Sequence, residues 1–107
     1  MQTVSVSTVA PGTVLVRLRG EIDFTNSAGV AEVIRGAVLR DRPTALRADL
    51  AELTFLDSSG IGVLINAMKA ADEVGASFTV EHPSSKVLSQ LRMTGLLEVF
   101  GLADPPR

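Results

Sequence analysis

Hydrophobic and polar positions change period several times along the chain, and each change marks an element. TVSVSTVA, residues 3–10, alternates Val with Ser or Thr, the signature of a strand with one apolar face. Pro11-Gly12 is a turn signal, and TVLVRLRG then sets Val14, Val16 and Leu18 against Leu15, Arg17 and Arg19. This predicts the second arm of a hairpin, ending at Gly20. From Glu21 the period becomes helical: Val30, Val33, Ile34, Ala37 and Val38 fall on one stripe, with Glu32, Arg35 and Arg40 outside it. Thr25, Asn26 or Ser27 is the expected N-cap, and Asp41-Arg42-Pro43 the end of the helix.

TALRADLAEL returns to alternation, with Leu46, Ala48 and Leu50 opposite Arg47 and Asp49. A turn through Ala51-Glu52 is expected to lead into LTFLD. Ile61, Leu64, Ile65 and Met68 then follow helical spacing, with Gly75 as C-terminal cap. ASFTVE predicts a short strand. Pro83-Ser84-Ser85 opens a last helix carrying Val87, Leu88 and Leu91, closed by Gly95. LLEVF fits either a strand or a helical turn, and the tail ADPPR is expected to fray. The order β-β-α-β-α-β-α predicts an α/β fold. A mixed sheet of four to five strands starts with an antiparallel hairpin, continues through right-handed parallel crossovers and carries helices packed on it.

Composition narrows the function classes. A length of 107 residues suits a single domain spanning 1–107. With no Trp or Tyr and four Phe, the core must be built from Val, Leu, Ile and Ala. The net charge of −2 and the scattered arginines argue against nucleic acid and anionic lipid as partners. No cysteine is present, so thiolate chemistry and Cys-based metal sites are excluded, and one histidine, His82, cannot build a His-rich site. MQTVSVSTVAPG lacks the basic start and apolar stretch of a signal peptide, and charged or amide residues interrupt every apolar run. The expected location is the cytoplasm.

Enzyme chemistry finds no support. Ser58 and Ser59 have only His82 as a possible histidine base, and Asp57-Ser58-Ser59-Gly60 is not the Gly-x-Ser-x-Gly elbow of hydrolases. There is no phosphate-binding loop, and Gly60-x-Gly62 is too short for a dinucleotide fingerprint. Both glycines are expected to let the first helical turn lie close to a neighbouring element. Glu21, Asp23 and Asp57 lie at the ends of two strand segments and could converge; helix capping by Asp23 and Asp57 is preferred over an acid/base pair.

The polar wedge in FLDSSGIGVLINAMKAA leaves two readings open. Asp or Ser at a helix start satisfies orphan N–H groups, a structural role worth about 1 kcal/mol per cap. Yet two hydroxyls follow the aspartate, more than a cap requires. A serine there is exposed, and a phosphate on it would meet the electropositive helix N-terminus. Such a phosphate adds about −1.5 to −2 charges and spares the fold, while burdening any protein interface at that point.

LTFLDSSGIGVLINAMKAA, with RLRGEIDFTNS upstream, RADLAEL just before it and LRMTGLLEVF downstream, closely resembles the STAS domains (sulfate transporter and anti-sigma factor antagonist). The chain is most similar to their small stand-alone bacterial anti-sigma factor antagonists. The resemblance spans nearly the whole chain and lacks only part of the usual C-terminal helix. It implies binding to an anti-sigma factor that is also a serine kinase, which frees a sigma factor. It further implies phosphorylation of Ser58, release of the phosphorylated antagonist, and resetting by a serine phosphatase. ATP and magnesium would belong to the kinase, so no cofactor is expected in this chain. Asp23, Asp57, Ser58, Ser59 and Gly60 match the family's partner-binding positions. The family also contains non-switching scaffold subunits of stressosome-like and lipid-transport assemblies, which is the alternative reading, with Ser58 as an ordinary cap.

Overall fold

Alternating apolar residues build the sheet and fix which of its faces is covered. The computed structural model describes residues 3–102. Its order is β1 (Val4–Ala10), β2 (Thr13–Ile22), α1 (Ser27–Asp41), β3 (Ala45–Leu56), α2 (Ser58–Glu73), β4 (Ser77–Glu81) and α3 (Ser85–Met93). One four-stranded sheet runs in the order β1-β2-β3-β4. β1 and β2 form the expected antiparallel hairpin, whereas β2–β3 and β3–β4 are parallel. The mixed α/β architecture expected from the sequence is therefore present, at the lower of the two strand counts.

Val14, Val16 and Leu18 of β2, Leu46, Ala48 and Leu50 of β3 and Val80 of β4 are buried in one core with Val30, Ile34 and Val38 of α1 and Val63, Leu64 and Ala67 of α2. On the other sheet face charges pair off. Arg47 makes a two-pronged contact to Glu81 at 2.8 and 2.9 Å, Arg17 lies 3.8 Å from Asp49, and Arg19 pairs with Glu52. The single histidine, His82, is exposed, with Nδ1 3.3 Å from Asp49. Leu15 shares this polar face yet is buried, between its register neighbours Ser7 and Arg47.

Several expectations need correction. Ala51-Glu52 is not a turn: β3 continues through it, and the irregularity is a shift of register in which Arg17 pairs Asp49 but Arg19 pairs Glu52. An extra residue is accommodated as a bulge, with the Ala51 amide donating to Asp49 Oδ1 at 3.0 Å. Nor does Gly20 end β2. It sits inside the strand at φ +70°, next to a second register shift, and β2 reaches Ile22. Val33, placed on the buried stripe of α1, is 46% exposed because the contact face is centred on Val30, Ile34, Ala37 and Val38.

The predicted stops hold. Arg42 closes α1 in the left-handed conformation before Pro43, and Gly75 and Gly95 follow α2 and α3 at φ +72° and +75°. LLEVF resolves as a helical turn, with the Phe100 amide donating to Leu96 O at 3.1 Å. The tail ADPPR lies outside the described residues.

Candidate functional site

Parallel strands deliver their C-terminal ends to one edge of a sheet, and here those ends carry the candidate residues. Ile22 and Leu56, both fully buried, are register partners at the last rung of the β2–β3 pair. Asp23 and Asp57 come directly after them. The Asp57 amide donates to Ile22 O at 3.2 Å, so the two aspartate-bearing loops are joined at their bases. The convergence expected of Asp23 and Asp57 is thus present.

Asp57 has extended backbone, and α2 begins on the next residue. Its Oδ1 accepts from the Ser59 amide at 2.8 Å and the Gly60 amide at 3.1 Å, so the carboxylate performs the N-cap role. Ser58 is exposed and Ser59 half-buried, and among the described residues neither hydroxyl has a hydrogen-bond partner. The cap is therefore the aspartate, and Ser58 is not used as one. Gly60 is buried because an added Cβ would stand 2.6 Å from Leu56 Cβ and 2.8 Å from Ile22 O. Only a glycine lets α2 start this close to both strand ends. The same expectation for Gly62 is not met, since nothing lies within 4 Å of its missing Cβ.

Asp23 behaves differently, and the expectation that it caps a helix is corrected. The N-cap of α1 is Asn26, whose side chain makes no capping bond. Asp23 Oδ1 instead accepts from the Thr25 amide at 2.9 Å and from the Thr25 hydroxyl. These donors, the hydroxyl foremost, hold its carboxyl below the ordinary value of 3.8. Asn26 locks the loop from within: its Oδ1 accepts from the Asp23 amide at 3.0 Å, and its Nδ2 donates to Glu21 O at 2.9 Å.

A further residue was not singled out in the sequence. β4 pairs with β3 only as far as Asp49, so the outer edge of Leu56 has no strand beside it. Gln90 of α3 takes that place, its Nε2 donating to Leu56 O at 2.8 Å and its Oε1 accepting from the Leu56 amide at 3.5 Å. The available signal was a polar residue on the stripe shared with buried Val87 and Leu91. Among the described residues no group of three or more His, Asp or Glu could hold a metal ion, and no helix is long and apolar enough to cross a membrane.

A four-stranded mixed sheet whose edge presents an Asp-capped helix and a free serine defines the class. Residues 5–105 match the STAS domain, and the chain belongs to that family. Over 93 residues it is 31% identical to an anti-sigma F factor antagonist of Paenibacillus polymyxa, covering 87% of this chain and 80% of that protein. It is 33% identical over 93 residues to the anti-sigma-F factor antagonist RsfB of Mycobacterium tuberculosis, covering 85% and 73%. Its fold matches the anti-sigma factor antagonist SpoIIAA in its unphosphorylated form, with a TM-score of 0.76 at 24% identity over 94% of this chain and 99% of that one. The phosphorylated form of SpoIIAA, a Bacillus cell fate determinant, matches with a TM-score of 0.72 at 24% identity over 97% and 92%. These relatives are named as antagonists of other proteins and not as enzymes, as the absence of catalytic motifs led us to expect.

Proposed function

We propose that this chain is an anti-sigma factor antagonist whose binding is switched off by phosphorylation of Ser58. It binds an anti-sigma factor that is also a serine kinase and so releases a sigma factor in the cytoplasm. The kinase, which holds ATP and magnesium, then transfers phosphate to Ser58, and a serine phosphatase removes it. Asp23, Asp57, Ser58, Ser59 and Gly60 form the partner-binding edge.

The observation that carries this reading is the division of labour at the start of α2. Asp57 satisfies the Ser59 and Gly60 amides, which leaves the Ser58 hydroxyl exposed and, among the described residues, without a partner. A phosphate there meets an electropositive helix end, so the fold tolerates it. The same charge stands beside Asp57 and near Asp23, and burying it in a complex costs affinity at a rate of about 1.4 kcal/mol per tenfold.

A pull-down with Ser58→Ala and Ser58→Glu, read by mass spectrometry, tests the proposal. The alanine form should retain an ATPase-fold serine kinase and take up no phosphate, whereas the glutamate form should lose the kinase with its circular dichroism unchanged. If both forms retain the same proteins, the chain is a non-switching scaffold and the proposal fails.

A further inference from the structure

The chain has four aromatic residues, and three of them are accounted for by packing. Phe78 and Phe100 meet edge to face at 6.1 Å, and the Lys86 ammonium lies 5.3 Å from the centre of the half-buried Phe55 ring. Phe24 is the exception. It is 79% exposed, in the β2–α1 loop beside Asp23.

Three features set it apart from an incidental surface residue. First, its backbone is held rigidly, because the amides on either side of it, those of Asp23 and Thr25, donate to Asn26 Oδ1 and Asp23 Oδ1. An aromatic presented on an ordered loop loses little conformational freedom on binding. Second, Phe24 stands two residues from Ile22, whose carbonyl accepts from the Asp57 amide, so its loop is joined at the base to the loop that carries Ser58. Thr25 and Asn26 of the same loop line a groove of about 610 Å³ between β1 and α1, with Val4, Val6, Val30 and Val33. Third, the carboxylates at this edge are unpaired, and the cation near them, Lys86, lies over Phe55, the register partner of Glu21, without pairing to any of them. Acidic groups on the open sheet face have arginine partners, but among the described residues Glu21, Asp23 and Asp57 have no ion pair. No Lys or Arg occurs between Arg19 and Arg35, or between Arg47 and Lys69.

We infer that Phe24 is the apolar anchor that selects the cognate anti-sigma factor, seating in an apolar pocket rimmed by basic side chains. This inference rests on the function proposed above. Charge decides the occupant. A second copy docking through the same edge would bring Glu21, Asp23 and Asp57 against their own counterparts, and nucleic acid would bring phosphates. A basic protein surface is complementary to the carboxylates and excludes water from the ring, the arrangement in which aromatic anchors dominate binding.

The test uses purified anti-sigma factor kinases of the source bacterium, with binding measured by calorimetry and phosphate transfer by steady-state kinetics. Phe24→Ala should weaken the complex at least tenfold and raise KM for phosphorylation to a similar extent, with kcat and melting temperature unchanged. Phe24→Leu should recover part of the affinity. Val9→Ala, which trims an exposed apolar residue near the opposite, hairpin end of the sheet, should bind as the wild type does. Added salt should weaken the wild-type complex.

If the wild type binds a kinase and Phe24→Ala binds it within twofold, the anchor is refuted and the proposed function stands. If the wild type binds none of the kinases, the proposed function and the anchor fall together. A change in self-association on Phe24→Ala, with kinase binding intact, would assign the ring to a second copy and overturn the inference.

Discussion

Two loops leave the same sheet edge from register-paired strand ends, each opening with an aspartate, and they do opposite things with it. After Leu56, the Asp57 carboxylate folds forward onto the Ser59 and Gly60 amides and α2 starts immediately. After Ile22, the Asp23 carboxylate closes on Thr25 and α1 waits until Ser27. The difference lies in the three residues next to each aspartate. Ser-Ser-Gly allows a helical turn in the narrow space between Leu56 and Ile22, because Gly60 has no Cβ. Phe-Thr-Asn supplies a hydroxyl and an amide side chain that hydrogen-bond nearby backbone and side-chain groups, and the chain makes a loop instead. One aspartate builds a helix start and frees a serine; the other builds a rigid platform.

The comparison is broken most severely at Gly60. Gly60→Ala forces a methyl against Leu56 Cβ and the Ile22 carbonyl, and should cost about 2 kcal/mol, lowering the melting temperature by roughly 10 °C. Its contrast is Gly62→Ala, which meets open space inside a helix and should stabilise by up to about 1 kcal/mol. Thermal melts of the pair separate close approach from mere helix propensity. Next in size, Asp57→Ala removes the cap and should cost about 1 kcal/mol, whereas Asp23→Ala, which loses only exposed loop hydrogen bonds, should lower the melting temperature clearly less. Equal losses in the two variants would erase the distinction between the loops.

The smallest effect is a titration. Donors from Thr25 favour the ionised Asp23, so its folded-state pKa lies below the ordinary 3.8. Whatever this contributes to stability is present above that ordinary value and is lost as the pH falls through the folded-state value. Thr25→Val removes the hydroxyl and should move the Asp23 titration upward, as read from its carboxyl carbon by NMR.

Much of this was legible because the signals were local. A polar wedge between an apolar strand and a helical stripe located the cap at Asp57, and the glycines after α2 and α3 marked their ends. What escaped depended on partners distant in sequence. The bulge at Ala51 reads as a turn until β2 is laid beside it. Gln90 has no evident task until one sees that β4 stops short and leaves Leu56 without a neighbour. Gly60 and Gly62 look equivalent in sequence, and only the approach of Ile22 and Leu56 separates them. Phe24 sits in a polar stretch that gives no periodic reason for it to be buried or exposed.

The hydrogen bond from Asp57 to Ile22 has a consequence for how the chain matures. It closes across the entire β2–α1–β3 crossover, a non-local contact of the kind that forms only when loop-closure entropy has already been overcome. The serine turn and the aromatic loop are therefore neighbours only in the finished fold. A nascent or partly unfolded chain carries every residue of the edge without bringing its two loops side by side. The assembled edge is in this way a report that folding is complete.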